Sequence, residues 1–145
     1  MCEICDIIRE AGEDSLVYDC MQDLTIEQVV APLAQEFGVD MKRLRGLGTL
    51  KARRNHCHDS DEVNALRTLA MYLVRVMTRA SLPAIGEYFG KRHHTTVLSA
   101  IRRTERTVVS TDEGRAVIAR AVQAIVRTLP PIQLHFPFIG EVAYA

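Results

Sequence analysis

The sequence predicts an all-α protein, a multi-helix bundle, on three observations. Apolar residues recur at three- and four-residue spacing through most of the chain, and no strand-like alternation of period two survives. Serine and threonine capping positions precede the periodic runs, and glycine or proline follows them. With 145 residues the chain is one ordinary domain with a core of its own.

The elements follow in order. Residues 1–24 form an acidic arm of weak helical pattern, with Ile4, Ile7, Ile8, Leu16 and Val17 around Gly12. Thr25-x-x-Gln28 is a capping box for a helix whose inward face is Ile26, Val29, Val30, Leu33, Ala34 and Phe37, and Gly38 stops it. A short amphipathic turn, "DMKRLRG", places Leu44 inward. Residues 46–61 are rich in glycine and polar residues and read as a loop carrying Lys51, Arg53 and Arg54. A long helix then runs from Glu62 to Thr78, with Val63, Leu66, Leu69, Ala70, Leu73, Val74 and Met77 toward the core. Ser81 caps a short helix from Leu82 to Phe89, with Pro83 accommodated in its first turn and Gly90 ending it. The next helix runs from His93 to Val108, and Ser110-x-x-Glu113 caps a last one reaching Leu129. Pro130-Pro131 opens an extended tail, so the expected division is arm 1–24, domain 25–129 and tail 130–145.

Formal charge sums to zero, but only as an average. Residues 1–40 carry ten acidic residues against Arg9 alone, whereas residues 41–128 carry seventeen basic and seven acidic ones. A basic body with an acidic arm suits an anionic partner. No apolar run reaches the roughly 18 residues of a membrane span, and the N-terminus lacks the basic region of a secretory signal. The expectation is a soluble, cytoplasmic, nucleoid-associated protein with no membrane partner. Cys2, Cys5, Cys20 and Cys57 do not form a disulfide framework; a zinc site built on the Cys2-x-x-Cys5 pair, with "RNHCHD" nearby, is the weaker alternative to reduced thiols.

The chemistry concentrates in "GEYFGKRHHTTVLSAIRR", Gly86 to Arg103. A short helix, a tight turn through Gly90-Lys91-Arg92 and a second helix make a helix-turn-helix, whose second helix lies in the DNA major groove. Val97, Leu98 and Ile101 face inward; Thr95, Thr96, Ser99, Arg102, Arg103 and Arg106 share the outward face. His93 and His94 stand at the helix start, where backbone N–H groups and the helix dipole favour phosphate. Lys91, Arg92, Arg102 and Arg103 are placed to neutralise backbone charge, while the threonines and histidines reach base edges. There is no HExxH pattern and no carboxylate among the histidines, so no catalytic residue and no cofactor is expected.

"LAMYLVRVMTRASLPAIGEYFGKRHHTTVLSAIRR", Leu69 to Arg103, resembles the C-terminal DNA-binding domain of the bacterial replication initiator DnaA, through SLP-x-IG, FG-x-R and HTTV in order. The upstream "TIEQVVAPLAQEFGVDMKRLRG" is similar to that domain's first helices. The resemblance implies a reader of DnaA-box-like duplex DNA that modulates initiation of chromosome replication. It assigns base reading to His94 and Thr95 with Thr96 beside them and makes Arg92 the signature arginine; Ser81, Ser99, Arg102 and Arg103 complete the candidate DNA-binding residues. The family's minor-groove arginine corresponds to Arg53 or Arg54. Two departures stand in the turn: Lys91 replaces a glycine and His93 replaces an aspartate. Histidine can donate where aspartate only accepts, so the expectation is an altered preference at one base position and binding that responds to pH. Nothing resembles G-x-x-x-x-G-K-[ST], so the expectation is a stand-alone reader with no nucleotide partner and no ATPase activity.

In the tail, Gln133, Leu134, Phe136 and Phe138 of "QLHFPF" are similar to peptides that bind the bacterial sliding clamp. The alternative is an apolar tail folded back on the bundle. A second functional reading follows: a protein-interaction regulator that binds the initiator, its inactivating factor or the clamp through arm and tail.

Overall fold

The structure, a computed structural model, describes residues 24–46 and 61–128. Most of the acidic arm, the four cysteines, Arg53, Arg54 and the tail peptide lie outside the described residues. Among those described, every regular element is helical.

Helix α1 (Ile26–Glu36) begins as its capping box requires. Thr25 Oγ1 accepts from the Gln28 N–H at 3.2 Å, and Gln28 Oε1 accepts from the Thr25 N–H at 2.9 Å. Its stripe of Val29, Val30, Leu33 and Ala34 is buried, and Pro32 sits inside the helix at the cost of one N–H donor. Helix α2 (Met41–Arg45) is capped by Asp40 and buries Leu44; Gly46, at φ +73°, ends it in the left-handed conformation.

Helix α3 (Asp61–Met77) is the central element and packs against α1, α2, α4 and α5. That centrality explains why Met71, Tyr72 and Arg67 are buried on it along with the seven predicted positions. Helix α4 (Leu82–Tyr88) starts where Ser81 Oγ accepts from the Ala84 N–H at 3.3 Å, with Pro83 in its first turn. Helix α5 (His94–Thr104) packs on both α3 and α4, and α6 (Asp112–Thr128) closes the bundle against α1. Arg120 on α6 pairs with Glu36 at 3.0 Å and lies over the Phe37 ring, joining those two helices at the surface.

Three features differ from the sequence reading. The helix expected from His93 to Val108 is α-helical only to Thr104 and continues as a π-helical turn, Glu105–Val109. A run of hydroxyls there bonds back to carbonyls four residues earlier: Thr104 to Ala100, Thr107 to Arg103, Ser110 to Arg106 and Thr111 to Thr107. Such bonds compete with the backbone ladder and loosen it. Ser110 does not cap α6, which starts at Asp112; Thr111 Oγ1 accepts from the Gly114 N–H at 3.1 Å instead. Third, Leu98 is only half-buried, and Thr104, 1% exposed, takes an inward position on α5.

Candidate nucleic-acid interface

The turn between α4 and α5 is set by a close approach. The Arg92 N–H donates to the Gly86 carbonyl at 2.8 Å, and the Arg92 carbonyl occupies the space a Cβ on residue 86 would need. Gly90, at φ +84°, and Lys91, at φ +58°, carry the chain through the left-handed region. Lys91 is the only non-glycine residue with positive φ among the described residues. The turn therefore spends about 1 kcal/mol of backbone strain to project a lysine.

His93 then caps α5. Its Nδ1 accepts from the Thr95 N–H at 3.3 Å and lies 2.7 Å from Thr95 Oγ1. The His93 and His94 rings lie in contact, with centroids 4.1 Å apart and planes tilted by 36°. The sequence reading placed His93 at the start of the helix among the residues facing DNA; it is the capping residue as well, a role histidine seldom fills.

Along α5, Thr95, Thr96, Ser99, Arg102 and Arg103 are all exposed on one side, while Val97 and Ile101 are buried on the other. Neither Arg102 nor Arg103 forms an ion pair with a described residue. Lys91, in the turn, and Ser81, at the N-terminus of α4, are both exposed, with the Ser81 hydroxyl engaged in its cap. Arg92 behaves differently. It is half-buried, its Nε donates to the Phe89 carbonyl at 3.1 Å, and its guanidinium lies beside Gly46.

Arg92, Thr96, Ser99 and Arg103 line one side of a cleft of about 570 Å³ between α5 and α3. Arg67 and Asn64 line the other side. Arg67, which the sequence reading missed, is 4% exposed. Its Nε donates to the Leu44 carbonyl at 2.8 Å, Nη2 to the Arg43 carbonyl at 2.7 Å and Nη1 to Asn64 Oδ1 at 2.8 Å. A buried charge persists only when its donors are satisfied, and here it also meets the negative end of α2. The available signal was an arginine set between Leu66 and Ala70 in an otherwise apolar stripe.

Arg45 fixes α2 to α4: its Nε donates to the Tyr88 carbonyl at 3.1 Å and its guanidinium lies 4.0 Å from the Tyr88 ring centroid. Burial pushes the Tyr88 phenol above its ordinary value, a rise that the Arg45 cation opposes and Glu27 reinforces. Among the described residues, no group of histidine, cysteine, aspartate or glutamate is placed to hold a metal ion, and no helix is long and apolar enough to cross a membrane.

A short helix, a glycine-containing turn and a second helix with one polar, basic face define a helix-turn-helix of the DNA-binding class. The family described as the bacterial dnaA protein helix-turn-helix matches residues 26–104, and the chain belongs to it. Similarity extends to the chromosomal replication initiator protein DnaA of Thermus thermophilus, 41% identical over 102 residues, covering 70% of this chain and 19% of the relative. The corresponding protein of Corynebacterium aurimucosum is 34% identical over 103 residues, covering 68% and 17%. That of Citrifermentans bemidjiense is 27% identical over 110 residues, covering 76% and 22%. The chain thus spans about a fifth of the length of these relatives.

Proposed function

We propose that this chain binds double-stranded DNA at DnaA-box-like sequences through α5 and so modulates initiation of chromosome replication, without ATPase activity. The observation that carries the reading is the single exposed face of α5, on which Thr95, Thr96, Ser99, Arg102 and Arg103 stand together in a helix-turn-helix of the initiator family. In this reading Lys91, Arg92, Arg102, Arg103 and Ser81 engage phosphates and fix the register. His93, His94, Thr95 and Thr96 meet base edges in the major groove, and Arg53 or Arg54 reaches the minor groove.

One such module buries only about 600–1,000 Å² on DNA, so binding by a single copy is modest and falls steeply with salt. Fluorescence anisotropy on a DnaA-box duplex and a scrambled duplex, at two salt concentrations, tests the reading. Selective binding that Thr95→Ala and Arg92→Ala each abolish supports it. Equal binding to both duplexes removes the site-reading role and moves the search for function to the acidic arm and the Gln133–Phe138 peptide.

A further inference from the structure

The polar side of α5 is a basic surface that no described carboxylate covers. From Lys91 to Arg106 the chain carries five basic residues and one acid, Glu105. Lys91, Arg102, Arg103 and Arg106 are exposed, and none of them pairs with a carboxylate among the described residues. Arg106 lies three and four positions beyond Arg103 and Arg102, a spacing at which like charges repel. An anion laid on this face therefore relieves repulsion as well as gaining attraction. Three segments of the chain lie outside the described residues, and they differ in charge. Residues 47–60 carry three basic residues and one acid, and residues 129–145 carry Glu141 alone. Residues 1–23 carry seven acids against Arg9. Only the last of these is strongly anionic.

The point where that segment joins the fold favours this face. Leu24 is buried, which pins the chain at the start of α1. Helix α1 packs on α2, and Arg45 of α2 holds Tyr88, the last residue of α4. Glu27, in the first turn of α1, is close enough for its charge to act on the Tyr88 phenol. The chain therefore enters α1 near the end of α4, and Tyr88 precedes Lys91 by three positions. Twenty-three residues reach at most roughly 80 Å, whereas His93 to Arg106 is only about 20 Å of helix. The acids are also patterned. Glu3, Asp6, Glu10, Glu13 and Asp14 recur at three- and four-residue spacing, which on a helix gathers them within about 100° of one face. We propose that this acidic arm, residues 1–23, docks on the exposed basic face of α5 in the same molecule and competes with DNA for it. The competition rests on the DNA reading above; the contact itself does not. Single surface ion pairs contribute little, but the tether supplies a millimolar effective concentration. An arm with an affinity of about 0.1 mM then masks the face about tenfold. Because the arm must leave before any duplex docks, it lowers affinity for every sequence by the same factor.

The experiment uses the full chain and a full-length variant in which Glu3→Gln, Asp6→Asn, Glu10→Gln, Glu13→Gln and Asp14→Asn remove the acidic stripe. Circular dichroism verifies that both proteins fold alike. Without DNA, amide proton–nitrogen spectra at low salt are expected to differ between the two proteins at Lys91 and along α5. Raising the salt is expected to move the wild-type α5 signals toward those of the variant, since the contact is exposed and screened. With DNA at low salt, the variant is expected to bind a DnaA-box duplex and a scrambled duplex each about tenfold more tightly, with the ratio between them unchanged. Identical α5 signals in the two proteins overturn the inference even where the variant binds DNA more tightly, because a change in net charge alone does that. Differences confined to other helices overturn it as well. Differences that grow with protein concentration assign the arm to a second copy and overturn the contact within one molecule. Differences along α5 with no binding of either protein to either duplex uphold the contact and remove the DNA reading. Selective DNA binding with no difference along α5 does the reverse.

Discussion

The backbone carbonyl of Arg92 lies against the Cα of Gly86, so the first helix of the pair and the turn after it touch backbone to backbone. No side chain fits between them. Gly86→Ala forces the turn away from α4 and is expected to destabilise the fold by about 1–3 kcal/mol, as overpacking does. Urea unfolding measures the loss. A variant as stable as the wild type would mean that the turn yields at no cost.

Lys91 presents the opposite balance. Its φ of +58° suits glycine, the residue found there in the resemblance. Lys91→Gly is expected to raise stability by about 0.5–1 kcal/mol through relief of that conformation. It is also expected to weaken DNA binding and to lower the slope of log affinity against log salt by about one. Unchanged salt dependence would take Lys91 out of the phosphate contacts.

Arg67 ties the end of α2 to the central helix through three hydrogen bonds from a buried guanidinium. Arg67→Met leaves the Arg43 and Leu44 carbonyls without those donors and is expected to cost about 2–3 kcal/mol. Arg67→Lys is not expected to recover it, since an ammonium cannot reproduce the planar fork that reaches both carbonyls. Thermal and urea denaturation of the two variants, side by side, checks both statements.

Tyr88 gives the fold an alkaline sensitivity. Its phenol is pushed above the ordinary value chiefly by burial, so the folded state holds the proton more tightly than the unfolded chain. The stability linked to it is complete below the unfolded value near pH 10 and is lost as pH rises through the folded one. Its Oη is buried without a partner among the described residues, so Tyr88→Phe is expected to change stability by less than about 1 kcal/mol at neutral pH. Stability measured from pH 8 to 11 is expected to decline less in the variant. A steeper decline would contradict the direction of the shift.

Local signals made much of this architecture readable in advance. The caps at Thr25 and Ser81 depend on residues three positions apart, and the buried faces of α1 and α3 repeat with the helical period, so short windows of sequence contain them. What escaped depends on distance or on a helix boundary. The carbonyls that Arg67 satisfies lie 23 and 24 residues away in the chain. Thr111 rather than Ser110 caps α6 because that helix starts at Asp112, one residue beyond the start that Ser110-x-x-Glu113 marks. On α5 the polar face was legible because its periodicity is strict, but the cap by His93 was not, since an imidazole is outside the usual set of capping groups.

The π-helical turn Glu105–Val109 bears on how the molecule can change over generations. An α-helix rotates about 100° per residue, so an added or deleted residue within it re-aims every side chain beyond. A π turn already accommodates one residue more than an α turn does. Because that turn follows Thr104, the side chains from His93 to Arg103 lie upstream of it and keep their orientation whatever length the turn adopts. Insertions and deletions at this point alter how α6 docks and leave the exposed face of α5 as it is. The joint between the two helices is therefore where lineages can gain or lose residues while the lettering on α5 stays in frame.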